Sequence, residues 1–159
     1  MLLGIKNIMY NCESHTDVRG IFYVPLDKSV VESRINEVYE AISELKRLAS
    51  RRFEEMNVDE RYSMRYNVIV LVESLASLCL YLALDYYGLR PESYSECFRE
   101  VSSRLGLGCA RDLEAMARLR NLLVHRYWAV RDDIVYEGVK KDFRCIEEFV
   151  SRVRELTSK

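Results

Sequence analysis

The chain has little that interrupts a helix: two prolines and six glycines in 159 residues. With so few breaks, and with apolar residues recurring every three or four positions rather than alternating, the sequence predicts an all-α fold. An excess of one charge is also missing, since 24 basic side chains face 25 acidic ones for a net charge of -1. That balance excludes a polycation that coats nucleic acid over its whole surface, so any RNA site must be a local patch. The five cysteines, Cys12, Cys79, Cys97, Cys109 and Cys145, are odd in number and lack C-x-x-C spacing. They argue against a disulfide framework and a zinc knuckle, and lead to the expectation of a reducing, cytoplasmic location. No long apolar region follows Met1, so the start does not read as a signal peptide. The apolar run from Val68 to Tyr87 is interrupted by Glu73, Ser74, Ser77 and Asp85, and reads as a buried core helix rather than a membrane span.

What is present fits one domain, because 159 residues with 49% hydrophobic side chains can build a single core. Residues 1–25 read as an N-terminal extension, with IFYV at 21–24 either a strand-like arm or part of a partly ordered segment; 26–159 form the helical domain. A first helix begins near Asp27 or Ser29, and Val31, Ile35, Val38, Ile42, Leu45 and Ala49 form its seam. The second, from about Asp59 to Tyr87, has a broad apolar surface and stops at Gly88. A short crossing helix follows from Pro91 to Leu105, then one from Ala110 to Tyr127, and the last runs from Asp132-Asp133 to Thr157. The expected architecture is an up-and-down bundle of four main helices plus the short crossing piece.

The fourth helix ends in RLRNLLVHRYW, which contains R-x-x-x-x-H-x-Y at Arg120, His125 and Tyr127. Arg occupies 18 of 159 positions, so about one His in nine would carry an Arg five residues before it by chance, and spacing alone is weak. At about 100° per residue from Arg120, the residues Ala115, Met116, Leu119, Leu122 and Leu123 fall roughly between 200° and 320° and form an expected core stripe. Arg120, Asn121 and His125 then leave the core together. Such a group can cleave RNA through the ribose 2′-hydroxyl. His125 can take or give the proton, Arg120 can neutralise charge on the phosphate oxygens, and Asn121 can hold the imidazole or a phosphate oxygen. No metal-ligand cluster is evident, so neither metal nor other cofactor is expected. The plainer alternative stays open: a histidine in a last helical turn often only caps carbonyls, with Tyr127 and Trp128 as core aromatics. His15, in the extension, receives no role.

The run RNLLVHRYW, followed by an acidic-capped connection and a long final helix, resembles the HepT toxins of HEPN type. The resemblance covers Val30 to Leu156 in helix order. It implies a metal-independent endoribonuclease of a toxin–antitoxin pair, with Arg120 and His125 as the catalytic pair and Asn121 supporting them. It implies a homodimer in which two motifs face one cleft and RNA is the substrate. Tyr127 matches the tyrosine that receives AMP from a separate minimal nucleotidyltransferase antitoxin (MntA-like), which silences the toxin. Two features depart from the family pattern: the N-terminal extension, and Arg126 where a small residue is common. No G-S-x-A-R-G signature occurs, so the chain is not a fused antitoxin. Two other readings compete: a non-catalytic helical module that binds a nucleotidyltransferase or a nucleotide, and a purely structural four-helix adaptor. No membrane association is expected.

Overall fold

In the computed structural model, the helix α1 (Lys28–Ala49) buries Val31, Ile35, Val38, Ile42 and Leu45 of the expected seam together with Ala41 and Leu48, whereas Ala49 is only half-buried. The structure describes residues 28–158 and the backbone of 15–16 and 22–23. Lys46 and Arg47 lie in the last turn of α1, where they oppose the partial negative charge of its C-terminus. After a 3-10 turn at Phe53–Glu55, Asn57 caps α2 (Val58–Tyr81). Its side chain accepts the Glu60 N–H at 2.9 Å while Glu60 accepts the Asn57 N–H at 2.9 Å, a reciprocal capping box.

The α2 helix is the centre of the bundle and packs against α1 and three later helices. Met64, Val68, Leu71, Val72, Leu75, Ala76, Leu78 and Cys79 bury much of its circumference, as its broad apolar surface requires. The helix is long and apolar enough to cross a membrane by composition, yet over half of that stretch is buried within the fold. It runs on through a π-helical turn at Leu82–Tyr86 and stops at Gly88, whose φ of 63° is a left-handed conformation that glycine adopts without strain.

Ser93 caps α3 (Tyr94–Leu105), which ends at the left-handed Gly106. The α4 helix (Ala110–His125) follows, then a 3-10 turn at Tyr127–Ala129. The expected single final helix is two: α5 (Asp132–Lys140) and α6 (Arg144–Thr157). Lys141 is extended, and Asp142 accepts the Arg144 N–H, turning the chain between them. The buried Val139 and Ile146 are seven residues apart, so the apolar phase is kept across the break and periodicity alone reads through it. Phe98 of α3 meets Phe149 of α6 edge to face, with ring centres 6.1 Å apart, in the middle of the core.

Two further expectations meet the structure. Cys109 and Cys145 form a disulfide that ties the start of α4 to α6, a pairing that the argument against a disulfide framework does not anticipate. Cys79 and Cys97 are free, buried and face each other with sulfurs 2.7 Å apart; burial raises the Cys79 thiol well above its usual range. The strand-like arm appears as two residues, Phe22–Tyr23 (β2), paired antiparallel with His15–Thr16 (β1). The rest of the extension lies outside the described residues, as does the Asp27 alternative for the first cap.

Candidate active site

The direction of α4 decides where the motif points. Its buried residues are Leu113, Ala117 and Leu123, with Met116, Leu119 and Arg120 partly buried, whereas Ala115 and Leu122 are exposed. The core stripe is therefore rotated from the expected one. Apolar residues occur on most sides of this helix, so its hydropathy underdetermines the buried face. Arg120 consequently does not leave the core with Asn121 and His125; it lies at the edge of the buried side, turned toward α2 and α3.

Arg120 keeps only 21% of its side chain exposed, and its Nε donates to Glu73 of α2 in a very close ion pair. The other Glu73 oxygen accepts the Tyr94 hydroxyl at 3.1 Å, and the Arg120 guanidinium stands 5.7 Å from the centre of the Tyr94 ring. Its Nη1 donates to Asn121 Oδ1 at 3.1 Å. A carboxylate, an aromatic face and an amide thus fix the plane of one guanidinium. Burial, the adjacent Glu73 charge and the hydrogen bond that Tyr94 donates to it push the Tyr94 hydroxyl up to about 12, so it remains a donor at neutral pH.

His125 is the last residue of α4, and its side chain is exposed. Among the described residues it has no hydrogen-bond or ion-pair partner, so it does not cap the helix carbonyls through its ring. Asn121, Arg126, Tyr127 and Trp128 are exposed as well. Tyr127 and Trp128 meet edge to face, with ring centres 5.3 Å apart, and neither belongs to the core. Extrapolating the helix to Tyr127 misplaces it because Arg126, at φ -139°, has already left helical geometry.

The turn after the motif is held from α2. Arg65 donates from Nε to Asp132 at 2.5 Å, from Nη1 to the Tyr127 carbonyl at 3.1 Å, and from Nη2 to the Val130 carbonyl at 3.3 Å. Sequence reasoning missed Arg65, Asp132, Glu73 and Tyr94 as parts of the site. The available signal was Glu73 itself, a charge inside the apolar run of the central helix, which requires a partner. Among the described residues no group of three or more His, Cys, Asp or Glu is placed to hold a metal ion.

A family model described as Ribonuclease HepT-like matches residues 35–153. A protein of Archaeoglobus fulgidus described as a putative RNase is 30% identical over 97 residues, covering 59% of this chain and 72% of that protein. Among solved structures, the Bacillus subtilis protein YutE, described as cytosolic and of unknown function, is similar with a TM-score of 0.69 at 15% identity. The match covers 84% of this chain and 92% of YutE. A toxin-antitoxin crystallised with AMP-PNP has the same TM-score at 17% identity, covering 80% of this chain and 99% of the other. At these identities the structural likenesses carry the helical fold alone.

Proposed function

The chain belongs to the HepT-like ribonuclease family, and from that premise we propose that it is a metal-independent endoribonuclease toxin whose catalytic pair is Arg120 and His125. The observation that carries this reading is the contrast within one motif: Arg120 is held in a fixed plane by Glu73 and Asn121, while His125, one and a half turns on, is exposed and has no partner among the described residues. A positioned cation and an accessible proton carrier are what cleavage by the ribose 2′-hydroxyl requires. The 2′-oxygen attacks phosphorus, its proton passes to an imidazole, and the bond from phosphorus to the 5′-oxygen breaks as that oxygen takes a proton. The products are a 2′,3′-cyclic phosphate and a 5′-hydroxyl. Base and acid are both needed, and each chain offers one motif histidine. A cleft between two copies supplies the second, which supports a homodimer.

Tyr127 is the proposed control point. Its exposed phenol, two residues after His125, can attack the α-phosphorus of ATP held by a separate minimal nucleotidyltransferase. The oxygen–phosphorus bond forms, pyrophosphate leaves and the phenolic proton is released. The added phosphodiester charge then competes with RNA for the Arg120 guanidinium. The toxin-antitoxin neighbour crystallised with AMP-PNP supports a nucleotide-using partner. Cytoplasmic residence goes with this reading, since its substrate and partner reside there.

One observation favours the non-catalytic alternative: the Arg120 charge is already matched by Glu73. Purified parent, Arg120→Ala and His125→Ala proteins incubated with RNA separate the two. The ribonuclease reading expects cleavage by the parent alone, with helical circular dichroism kept by all three. Equal cleavage by His125→Ala would reject the proton-transfer role, and no cleavage by a folded, dimeric parent across varied RNAs would favour the binding module.

A further inference from the structure

Resting on the ribonuclease reading above, we propose that Trp128 is a stacking platform for an unpaired base beside the cleaved phosphate, which makes single-stranded RNA the substrate class. Trp128 is 70% exposed, the highest value among the large hydrophobic side chains of the described residues, and it is the only tryptophan of the chain. A large aromatic ring is ordinarily among the more buried side chains, so its display beside a functional motif calls for a ligand with a flat face.

The support beneath the ring is fixed. Ala129 and Val130 close the turn by N–H bonds to the Arg126 and Tyr127 carbonyls at 2.9 and 3.3 Å, and the three-point grip of Arg65 holds the turn from α2. Tyr127 braces the indole edge to face. Chemistry around the ring matches one strand of RNA: His125 and Arg126 precede it within three residues, both exposed, and Arg126 has no carboxylate partner among the described residues. An aromatic face beside a free guanidinium is the pairing that single-stranded nucleic acids use, the ring for a base and the cation for the backbone. A duplex hides its base faces in the stack, and A-form geometry also keeps the 2′-hydroxyl out of line with the phosphorus it must attack. Both the ring and the reaction therefore select unpaired nucleotides.

Because Trp128 is the sole tryptophan, its emission reports on this position alone. The experiment titrates the full-length chain with a fluorescein-labelled 2′-O-methyl oligoadenylate, whose capped 2′-oxygens prevent cleavage, and with the same strand annealed to its complement. Tryptophan quenching and oligonucleotide anisotropy are read together, alongside light scattering. The single strand should quench Trp128 at the concentration where anisotropy rises, and the duplex should not. Trp128→Ala should weaken single-strand binding about tenfold, the scale of one lost base–aromatic stack, while Trp128→Phe keeps most of it. Unchanged emission at saturating anisotropy, or full affinity in Trp128→Ala, overturns the platform. Loss of dimer in Trp128→Ala with affinity per dimer preserved also overturns it, by assigning the ring to a contact between copies. Cleavage of unmodified RNA by the parent is scored separately. A parent that quenches but never cleaves keeps the platform and sinks the ribonuclease reading; one that cleaves without quenching does the reverse.

Discussion

Arg65→Ala isolates the grip of α2 on the turn that follows the motif. The parent guanidinium makes three hydrogen bonds, and the side chains of Arg65 and Asp132 are only 18% and 17% exposed. A hydrogen bond to a charged group contributes about 1.5 to 3 kcal/mol net. Of the two carbonyl contacts, the one to Tyr127 is exposed, where water can replace the donor, while the one to Val130 is half-buried and, at 3.3 Å, long. The truncation should therefore cost about 2 to 3 kcal/mol, most of it from Asp132 left partly buried without its cation. For a chain of this size that corresponds to a fall in Tm of roughly 4 to 12 °C. Urea denaturation followed by circular dichroism, repeated for Asp132→Asn and for the double variant, gives the coupling directly. The coupling should be on the order of 1 to 3 kcal/mol, since residues in one ion-paired network are not additive. Additive effects within about 0.3 kcal/mol would refute the reasoning, because they would mean that the two groups are independently solvated. RNA cleavage should fall in Arg65→Ala even at temperatures where the fold is intact, as the turn bearing Tyr127 and Trp128 loses its anchor.

Glu73→Gln keeps the shape of the side chain but removes the charge that orients Arg120, so kcat for RNA should drop by about tenfold or more while KM changes less; an unchanged kcat would separate Glu73 from the site. The Tyr94 hydroxyl, held at about 12 against an ordinary value near 10, contributes stability that is complete below pH 10 and is lost as pH rises through 12. Tyr94→Phe should flatten that alkaline loss, and equal pH curves for the two proteins would contradict it. EDTA should leave cleavage unaffected; abolition by chelator with restoration by magnesium would defeat the metal-independent reading. In mass spectra of the protein co-expressed with a neighbouring minimal nucleotidyltransferase, AMP should sit on Tyr127, and modification elsewhere would reject that control point.

Local patterns were legible and tertiary pairings were not. Val31, Ile35, Val38, Ile42 and Leu45 could be read as a buried seam because helical period is a property of neighbouring residues. Gly88 and Gly106 could be read as stops for the same reason, and both adopt positive φ. The break between α5 and α6 left no trace in the pattern, since Val139 and Ile146 keep a heptad spacing across it. Counting cysteines could not reveal that Cys109 and Cys145, 36 residues apart, are neighbours. At the motif, Leu122 was assigned to the core by hydropathy, yet it is exposed while Ala117 is buried. Together with Ala115, also exposed, that choice rotated the helix and sent Arg120 outward.

The corrected rotation makes α2 the common reference for both halves of the motif. Arg120 belongs to a helix, whereas Tyr127 and Trp128 belong to a turn, and the end of α4 between them would by itself leave their relative placement loose. Glu73 grips the first and Arg65 the second, and the two lie eight residues apart on one continuous helix. Eight residues span about 12 Å of helix axis and bring the two side chains to within roughly 80° of each other, on neighbouring faces of one rigid rod. The core packing of Leu71, Leu75 and Leu78 around that rod therefore sets the distance between the guanidinium of Arg120 and the rings after His125. Charges placed in an apolar central helix are costly unless they are paired, and here Glu73 is paired to Arg120 of the motif and Arg65 to Asp132 just beyond it. The central helix is thus both the core of the fold and the jig on which the candidate site is assembled.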